Sequence, residues 1–87
     1  MAEAERAAEH VFLSMLMRFT LEGRNVSHSA GTNYAPPLFV KEPEAKVAKL
    51  SKRALEDAMR RLFVAKRIKV EHRETRGGRK ANALVMV

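Results

Sequence analysis

The apolar residues of this chain change their spacing near residue 67, and this change restricts the folds that the chain can adopt. In two stretches before that point they recur every three or four positions, which is the repeat of an amphipathic helix. From there on they alternate with polar residues, which predicts a half-buried strand with Ile68 and Val70 pointing inward. Gly77 and Gly78 follow between cationic residues and predict the tip of a hairpin. The chain is therefore predicted to be α+β, mainly helical, with a hairpin after the helices.

Three helices are predicted before the hairpin. The first contains no Gly or Pro until Gly23, which favours a helix end there. The second is short and is expected to stop before Pro43, with a further turn over residues 44–47. The third begins at Ser51, a good N-cap residue. With 87 residues the chain is long enough for one domain, and we expect one domain over residues 1–87, made of a long helix 3–22, a loop 23–35, a short helix 36–42, a helix 51–66 and a hairpin 67–87.

The charge of the chain is concentrated in its second half. The whole chain carries a net charge of +7, yet residues 1–45 have a net charge of −2 and residues 46–87 one of +9. A concentrated positive field favours phosphate-bearing partners through the release of counterions. The alternative is a charged surface that serves solubility alone. RNA also remains open as the partner, although the basic half has few aromatic residues to stack on bases.

This order of elements is that of a winged helix-turn-helix domain, in which the third helix enters the major groove and the hairpin, the wing, contacts the DNA backbone. We therefore expect the chain to bind double-stranded DNA. The helix 51–66 is expected to expose a polar face that includes Arg61 and two ion pairs between residues four apart, Glu56–Arg60 and Arg53–Asp57. The residues expected to contact DNA are Ser51, Lys52, Arg53, Arg60, Arg73, Arg76, Arg79 and Lys80.

Parts of the sequence resemble a known family. The stretches GRNVS at 23–27, GTNYAP at 31–36, EPEAK at 42–46, KRALEDAMRRLF at 52–63 and RIKVE at 67–71, together with Phe39, are similar to the C-terminal region of RepA-type hexameric replicative ATPases. Such proteins occur in bacterial prophages and plasmids, chiefly of alphaproteobacteria. The resemblance spans about residues 11–80 and implies a winged-helix appendage used in replication, with a replicative ATPase or another replication protein as a partner. No Gly-rich nucleotide-binding loop occurs here, so the chain is expected to be either a fragment of a larger ATPase or a free-standing relative.

The first helix has more apolar surface than its predicted core stripe, which consists of Ala8, Val11, Phe12, Met15, Leu16 and Phe19. Leu13 and Met17 lie beside or beyond that stripe and predict a second apolar ridge. This ridge either associates with a second copy, giving a homodimer, or is covered by the short helix or the chain ends. A protein-interaction module that uses this ridge is therefore the alternative to DNA binding, and the two functions are compatible.

Catalysis, metal binding and membrane insertion have little support in the sequence. His10, His28 and His72 lie in three different elements, and we expect His28 to be an exposed loop residue. The chain has no cysteine and no apolar run that could cross a membrane. We therefore expect no enzyme activity, no cofactor and no metal site, and a cytoplasmic, nucleoid-associated protein that acts in replication or transcription control of a mobile element.

Overall fold

The computed structural model describes residues 3–28, 34–74 and 80–87, and the side chains of 3–28, 34–71 and 83–87. Over these residues the chain is α+β and mainly helical, with one antiparallel hairpin. The elements, in order, are α1 Glu3–Leu21, α2 Ala35–Phe39, α3 Pro43–Val47, α4 Lys52–Val64, β1 Ile68–Glu74 and β2 Lys80–Met86.

The described residues form four helices, so the prediction of three helices is wrong. The segment expected as one short helix, 36–42, is helical only as far as Phe39, and α3 begins beyond it at Pro43. Pro43 explains the break, because a residue before proline avoids helical geometry and Glu42 is extended at φ −83° and ψ 151°. Glu42 therefore becomes the N-cap of α3, and the turn expected after Pro43 is a helix of its own.

Three helix ends share one hydrogen-bonding pattern, the Schellman motif, in which the residue after the helix adopts a positive φ. Gly23, at φ 75°, closes α1 at the predicted position, with Arg24 N–H donating to Phe19 C=O at 2.8 Å. Lys49, at φ 56°, closes α3, and Lys66, at φ 58°, closes α4. Because Lys66 ends the helix, α4 stops at Val64 and not at residue 66 as predicted.

The core lies between α1, α2, α4 and one face of the hairpin. Phe39 is fully buried and packs edge-on against Phe12 and Phe19, with ring centroids 5.0 Å apart in both pairs. The predicted stripe of α1 is buried except for Val11, which is only partly buried. The other large core side chains are Met15, Leu16, Val26, Leu55, Leu62, Ile68 and Leu84.

The hairpin is tied to the helices at its base. β1 and β2 pair antiparallel with Ile68 opposite Met86 and Val70 opposite Leu84. Leu84 N–H also donates to Val26 C=O at 2.8 Å, so the segment after α1 lies beside β2. The hairpin is therefore anchored to the loop between α1 and α2 by this bond, and Ile68 and Leu84 pack with the helices in the core.

Ion pairs join the end of α1 to the α2–α3 corner. Arg18 Nε donates to Glu44 Oε2 at 2.8 Å, and Arg18 Nη2 donates to Glu42 Oε1 at 3.0 Å. Arg24 lies with its guanidinium carbon 3.9 Å from the centre of the Phe19 ring. The hydrogen bond from Arg18 is the main cause that lowers the pKa of Glu44. These contacts fix where α3 lies, and with it the start of α4.

Candidate nucleic-acid interface

Four cationic side chains surround the turn between α3 and α4, which we call the α3–α4 corner: Lys46, Lys49, Lys52 and Arg53. All four are exposed, and none forms an ion pair with a residue that the structure describes. The nearest carboxylate before them in sequence, Glu44, is engaged by Arg18. The corner is therefore a local excess of positive charge that opposite charges from the described part of the fold do not neutralise.

Ser51 and the start of α4 add hydrogen-bond donors to this corner. Ser51 Oγ accepts a hydrogen bond from Ala54 N–H at 3.1 Å, which confirms the predicted N-cap. The hydroxyl proton of Ser51 remains available to donate. The N–H groups of Lys52 and Arg53, in the first turn of α4, have no acceptor within the helix. A helix start of this kind attracts anions through these donors and the helix dipole.

Arg60 lies on the outer face of α4, two turns beyond Arg53 and about 10 Å along the helix axis. Its guanidinium is 3.7 Å from Asp57 Oδ1, and its side chain is 76% exposed. An exposed ion pair of this length contributes little. Arg60 can therefore exchange Asp57 for another acceptor at small cost.

Neither predicted ion pair of α4 forms: Glu56 does not pair with Arg60, and Asp57 pairs with Arg60 and not with Arg53. Tyr34 Oη donates to Glu56 Oε2 at 2.8 Å, which holds Glu56 against the segment before α2. Burial, and next this hydrogen bond, raise the pKa of the Tyr34 phenol. The side of α4 that carries Glu56 therefore contacts the segment before α2, whereas Arg60 and Asp57 form an ion pair with each other on the exposed side.

Arg61 is not part of the exposed face, which corrects the sequence-based expectation. Its Nε donates to Glu9 Oε2 at 3.0 Å, and its Nη2 donates to the Glu5 carbonyl at 3.3 Å. Both acceptors belong to α1. Arg61 therefore fixes α4 on α1, and it is removed from the surface that carries Arg53 and Arg60.

His28 is half-buried, so the expectation of an exposed loop histidine is wrong as well. Its ring packs edge-on against Phe63 at a centroid distance of 5.9 Å. Its Nδ1 is buried without a hydrogen-bond partner among the described residues. The loop after α1 thus contacts α4 near the end of that helix.

The hairpin residues that are predicted to contact DNA are described only in part. Arg73 and Lys80 belong to β1 and β2, one position apart in register, but their side chains lie outside the described residues. Arg76 and Arg79 lie in the segment between the strands, which is also outside them. Their role as DNA contacts stays a prediction.

The two residues predicted for self-association differ in burial. Leu13 is half-buried and shares a cleft with Leu62 and Arg67. Met17 is 49% exposed and lines a groove with Leu21, Val85 and Met86. The predicted ridge is therefore half covered by the domain itself, and its exposed part lies at the end of α1 nearest the hairpin.

Lys46 and Lys49 belong to the corner although they are absent from the predicted DNA contacts. A signal for them exists, because residues 45–55 contain four cations and no acid. The sequence predicts only a turn over residues 44–47. Without the helix α3, the positions of these two lysines relative to Lys52 and Arg53 could not be predicted.

No protein-family model, no curated protein and no solved structure matches this chain significantly. Among the described residues, no helix has the length and apolar character needed to cross a membrane. Within the same part of the chain, no three His, Asp or Glu side chains are grouped closely enough to hold a metal ion.

Proposed function

We propose that this chain binds double-stranded DNA as a winged helix-turn-helix domain, with α4 in the major groove and the α3–α4 corner on the phosphate backbone. The observation that carries the proposal is the corner itself. It exposes four cations without opposing acids among the described residues, and it surrounds the start of a helix that offers free N–H donors. Phosphate oxygens are the ligands that such a combination favours.

The dimensions of α4 support this placement. Its 13 residues span about 20 Å, and a major groove about 12 Å wide admits one helix. Arg53 and Arg60 lie outward along it, whereas Arg61 and Glu56 hold its other sides. Arg60 is the residue suited to read a base edge, because arginine binds guanine through two hydrogen bonds.

The anchoring of the hairpin supports its use as a wing. A strand pair that is bonded to the segment after α1 and buries Ile68 and Leu84 in the core holds a fixed position relative to the helices. Its tip carries Arg76 and Arg79 in the sequence. A role in replication or transcription control of a prophage or plasmid is supported by the resemblance of the loop and α4 segments to the replicative ATPases.

The test is a titration of duplex DNA, measured by fluorescence anisotropy at several salt concentrations. With four corner contacts, affinity should fall by about 10²-fold between 50 and 200 mM salt. Lys52→Gln combined with Arg53→Gln should weaken binding and reduce the salt slope by about 2. The matched control is Lys66→Gln with Arg67→Gln, which removes the same charges at the far end of α4 and should change binding much less.

Equal losses in the two double variants would show that net charge alone drives binding and that the corner is not the site. Absence of binding to any duplex at 50 mM salt would refute DNA binding altogether. Alanine at Arg76, Arg79 and Lys80 tests the wing separately. Unchanged affinity in that variant would remove the hairpin from the interface.

A second candidate function, protein association through α1, is favoured by the exposure of Met17 and Leu21, the latter 81% exposed. Met17→Asp places a charge on this surface without touching the buried stripe of α1. Loss of self-association, or of binding to a replication protein, would support this function, and unchanged association would exclude Met17 from the interface.

A further inference from the structure

An acid lies in the middle of the cationic outer face of α4. Asp57 is four residues after Arg53 and three before Arg60, which places these three side chains on one side of the helix. The side chain of Asp57 is 41% exposed, and its carboxylate is 3.7 Å from the Arg60 guanidinium. The other acid of α4, Glu56, is bonded to Tyr34. Asp57 is therefore the carboxylate that α4 presents to a partner on this face.

Contacts within the domain give Asp57 little part in stability. An exposed ion pair of this length contributes little. Asp57 is also the sixth residue of α4, beyond the first turn in which an acid gains from the helix dipole. Arg61, on the neighbouring side of the helix, is bonded to Glu9 of α1. On a helix that faces DNA, phosphates repel a carboxylate. The position of Asp57 is therefore favourable only where the partner donates a hydrogen bond to it.

The edges of the base pairs in the major groove offer few such donors. Guanine presents the acceptors N7 and O6, thymine presents the acceptor O4, and adenine presents its N6 amino group beside the acceptor N7. Cytosine presents its N4 amino group with no acceptor on the same edge. Because neighbouring acceptors repel a carboxylate, cytosine is the base that suits Asp57 best.

We propose that Asp57 determines the sequence specificity of this chain by accepting a hydrogen bond from the N4 amino group of a cytosine, while Arg60 binds a guanine in the neighbouring base pair. This inference rests on the proposed placement of α4 in the major groove. The preferred site then contains two adjacent G·C pairs. Exchange of the pair that Asp57 contacts for A·T sets the carboxylate beside an acceptor.

The spacing of the two residues matches that of neighbouring base pairs. Asp57 and Arg60 are about 4.5 Å apart along the axis of α4, and successive base pairs are about 3.4 Å apart. A guanidinium has five N–H donors and guanine takes two of them, so Arg60 can keep its contact with Asp57. Arg53, at the α3–α4 corner, lies about 6 Å before Asp57 along the axis. The corner can therefore hold phosphates while Asp57 and Arg60 contact bases.

The test selects sites from a pool of duplex DNA with a randomised central segment and sequences the bound molecules, with circular dichroism to check the fold of each variant. The unchanged chain should select a motif with two adjacent G·C pairs. Asp57→Asn should change one of these pairs to A·T and keep the other, because asparagine binds adenine through N6 and N7. In anisotropy titrations, the unchanged chain should bind a duplex with that single exchange about tenfold more weakly than its selected site. Asp57→Asn should reverse this order.

The matched control is Glu22→Gln, which removes the same charge just after α1 and should select the same motif as the unchanged chain. An unchanged motif for Asp57→Asn would overturn the inference. Loss of the guanine preference alone in Asp57→Ala would also overturn it, since Asp57 would then act only by orienting Arg60. Binding without any selected motif would overturn the inference and leave the proposed function standing. Absence of binding to every duplex at low salt would refute the proposed function, and the inference with it.

Discussion

Lys49→Gly should make the domain more stable and its binding to DNA weaker. Lys49 closes α3 at φ 56°, with its N–H donating to Lys46 C=O at 3.1 Å and Leu50 N–H donating to Ala45 C=O at 3.0 Å. The left-handed conformation is unfavourable by roughly 1–2 kcal/mol for a residue with a Cβ, and glycine adopts it freely. Lysine near a helix C-terminus offsets some of this through the dipole, by about 0.3–1 kcal/mol.

The net expectation is a gain of about 1 kcal/mol in the free energy of unfolding. For a domain of this size that raises the melting temperature by about 4–8 °C. The same substitution removes one cation from the corner. The slope of log affinity against log salt should therefore decrease by about 0.9, and affinity at physiological salt should fall by a few-fold. The assays are a thermal melt and an anisotropy titration at several salt concentrations.

Lys66→Gly is the matched control, because Lys66 closes α4 in the same way at φ 58°, with its N–H donating to Phe63 C=O at 3.0 Å. It relieves the same strain and removes the same charge at the opposite end of α4. Its melting temperature should rise similarly, and its affinity should change much less than that of Lys49→Gly. Equal losses of affinity in both variants would refute the reasoning, and so would a lower melting temperature for Lys49→Gly.

Three further predictions concern the fold. Tyr34 is the one tyrosine of the chain, which has no tryptophan, so ultraviolet absorbance at alkaline pH reports the titration of this phenol alone. The phenol should titrate above its ordinary pKa. Glu56→Gln should lower this pKa but not return it to the ordinary value, because burial is the larger cause of the increase. Arg18 lowers the pKa of Glu44, so the ion pair stabilises the fold above the pKa that Glu44 has in the unfolded chain, and this stabilisation is lost as pH falls through the pKa of the folded state. Glu44→Gln should therefore flatten the dependence of the urea midpoint on pH in this acidic range. An unchanged slope would contradict the assignment. Phe39→Leu removes two edge-on ring contacts and should lower the free energy of unfolding by roughly 2–3 kcal/mol, measured by urea denaturation.

The sequence predicts the elements whose signals are local. The change of spacing gives the hairpin, Ser51 gives the start of α4, and Gly23 gives the end of α1 within one residue. The predicted end of α4 lies two residues beyond the observed one, because Lys66 carries no sequence signal for a left-handed residue. Pro43 gives a break after α2 but does not by itself show that a new helix starts there.

Contacts between distant residues could not be predicted, because they depend on how the helices cross. Arg61 looks like a surface residue by its neighbours in sequence, and only the crossing of α1 and α4 brings Glu9 to it. His28 and Phe63 likewise meet because the loop after α1 folds onto α4. The α3–α4 corner could be predicted only in part. Its four cations can be read from the sequence, but that they lie close together follows from α3 and the turn after it.

The hydrogen bond between Leu84 and Val26 has a consequence for how the domain is made. Val26 is synthesised before every residue of α2, α3 and α4 and is almost fully buried, yet its carbonyl is bonded by a residue of β2. The helices therefore leave the ribosome before the strand that completes their core is available. Pairing of this kind joins residues far apart in sequence, which slows folding relative to a bundle held by local contacts. The domain is therefore expected to close in one cooperative step once residues 80–86 have emerged from the ribosome.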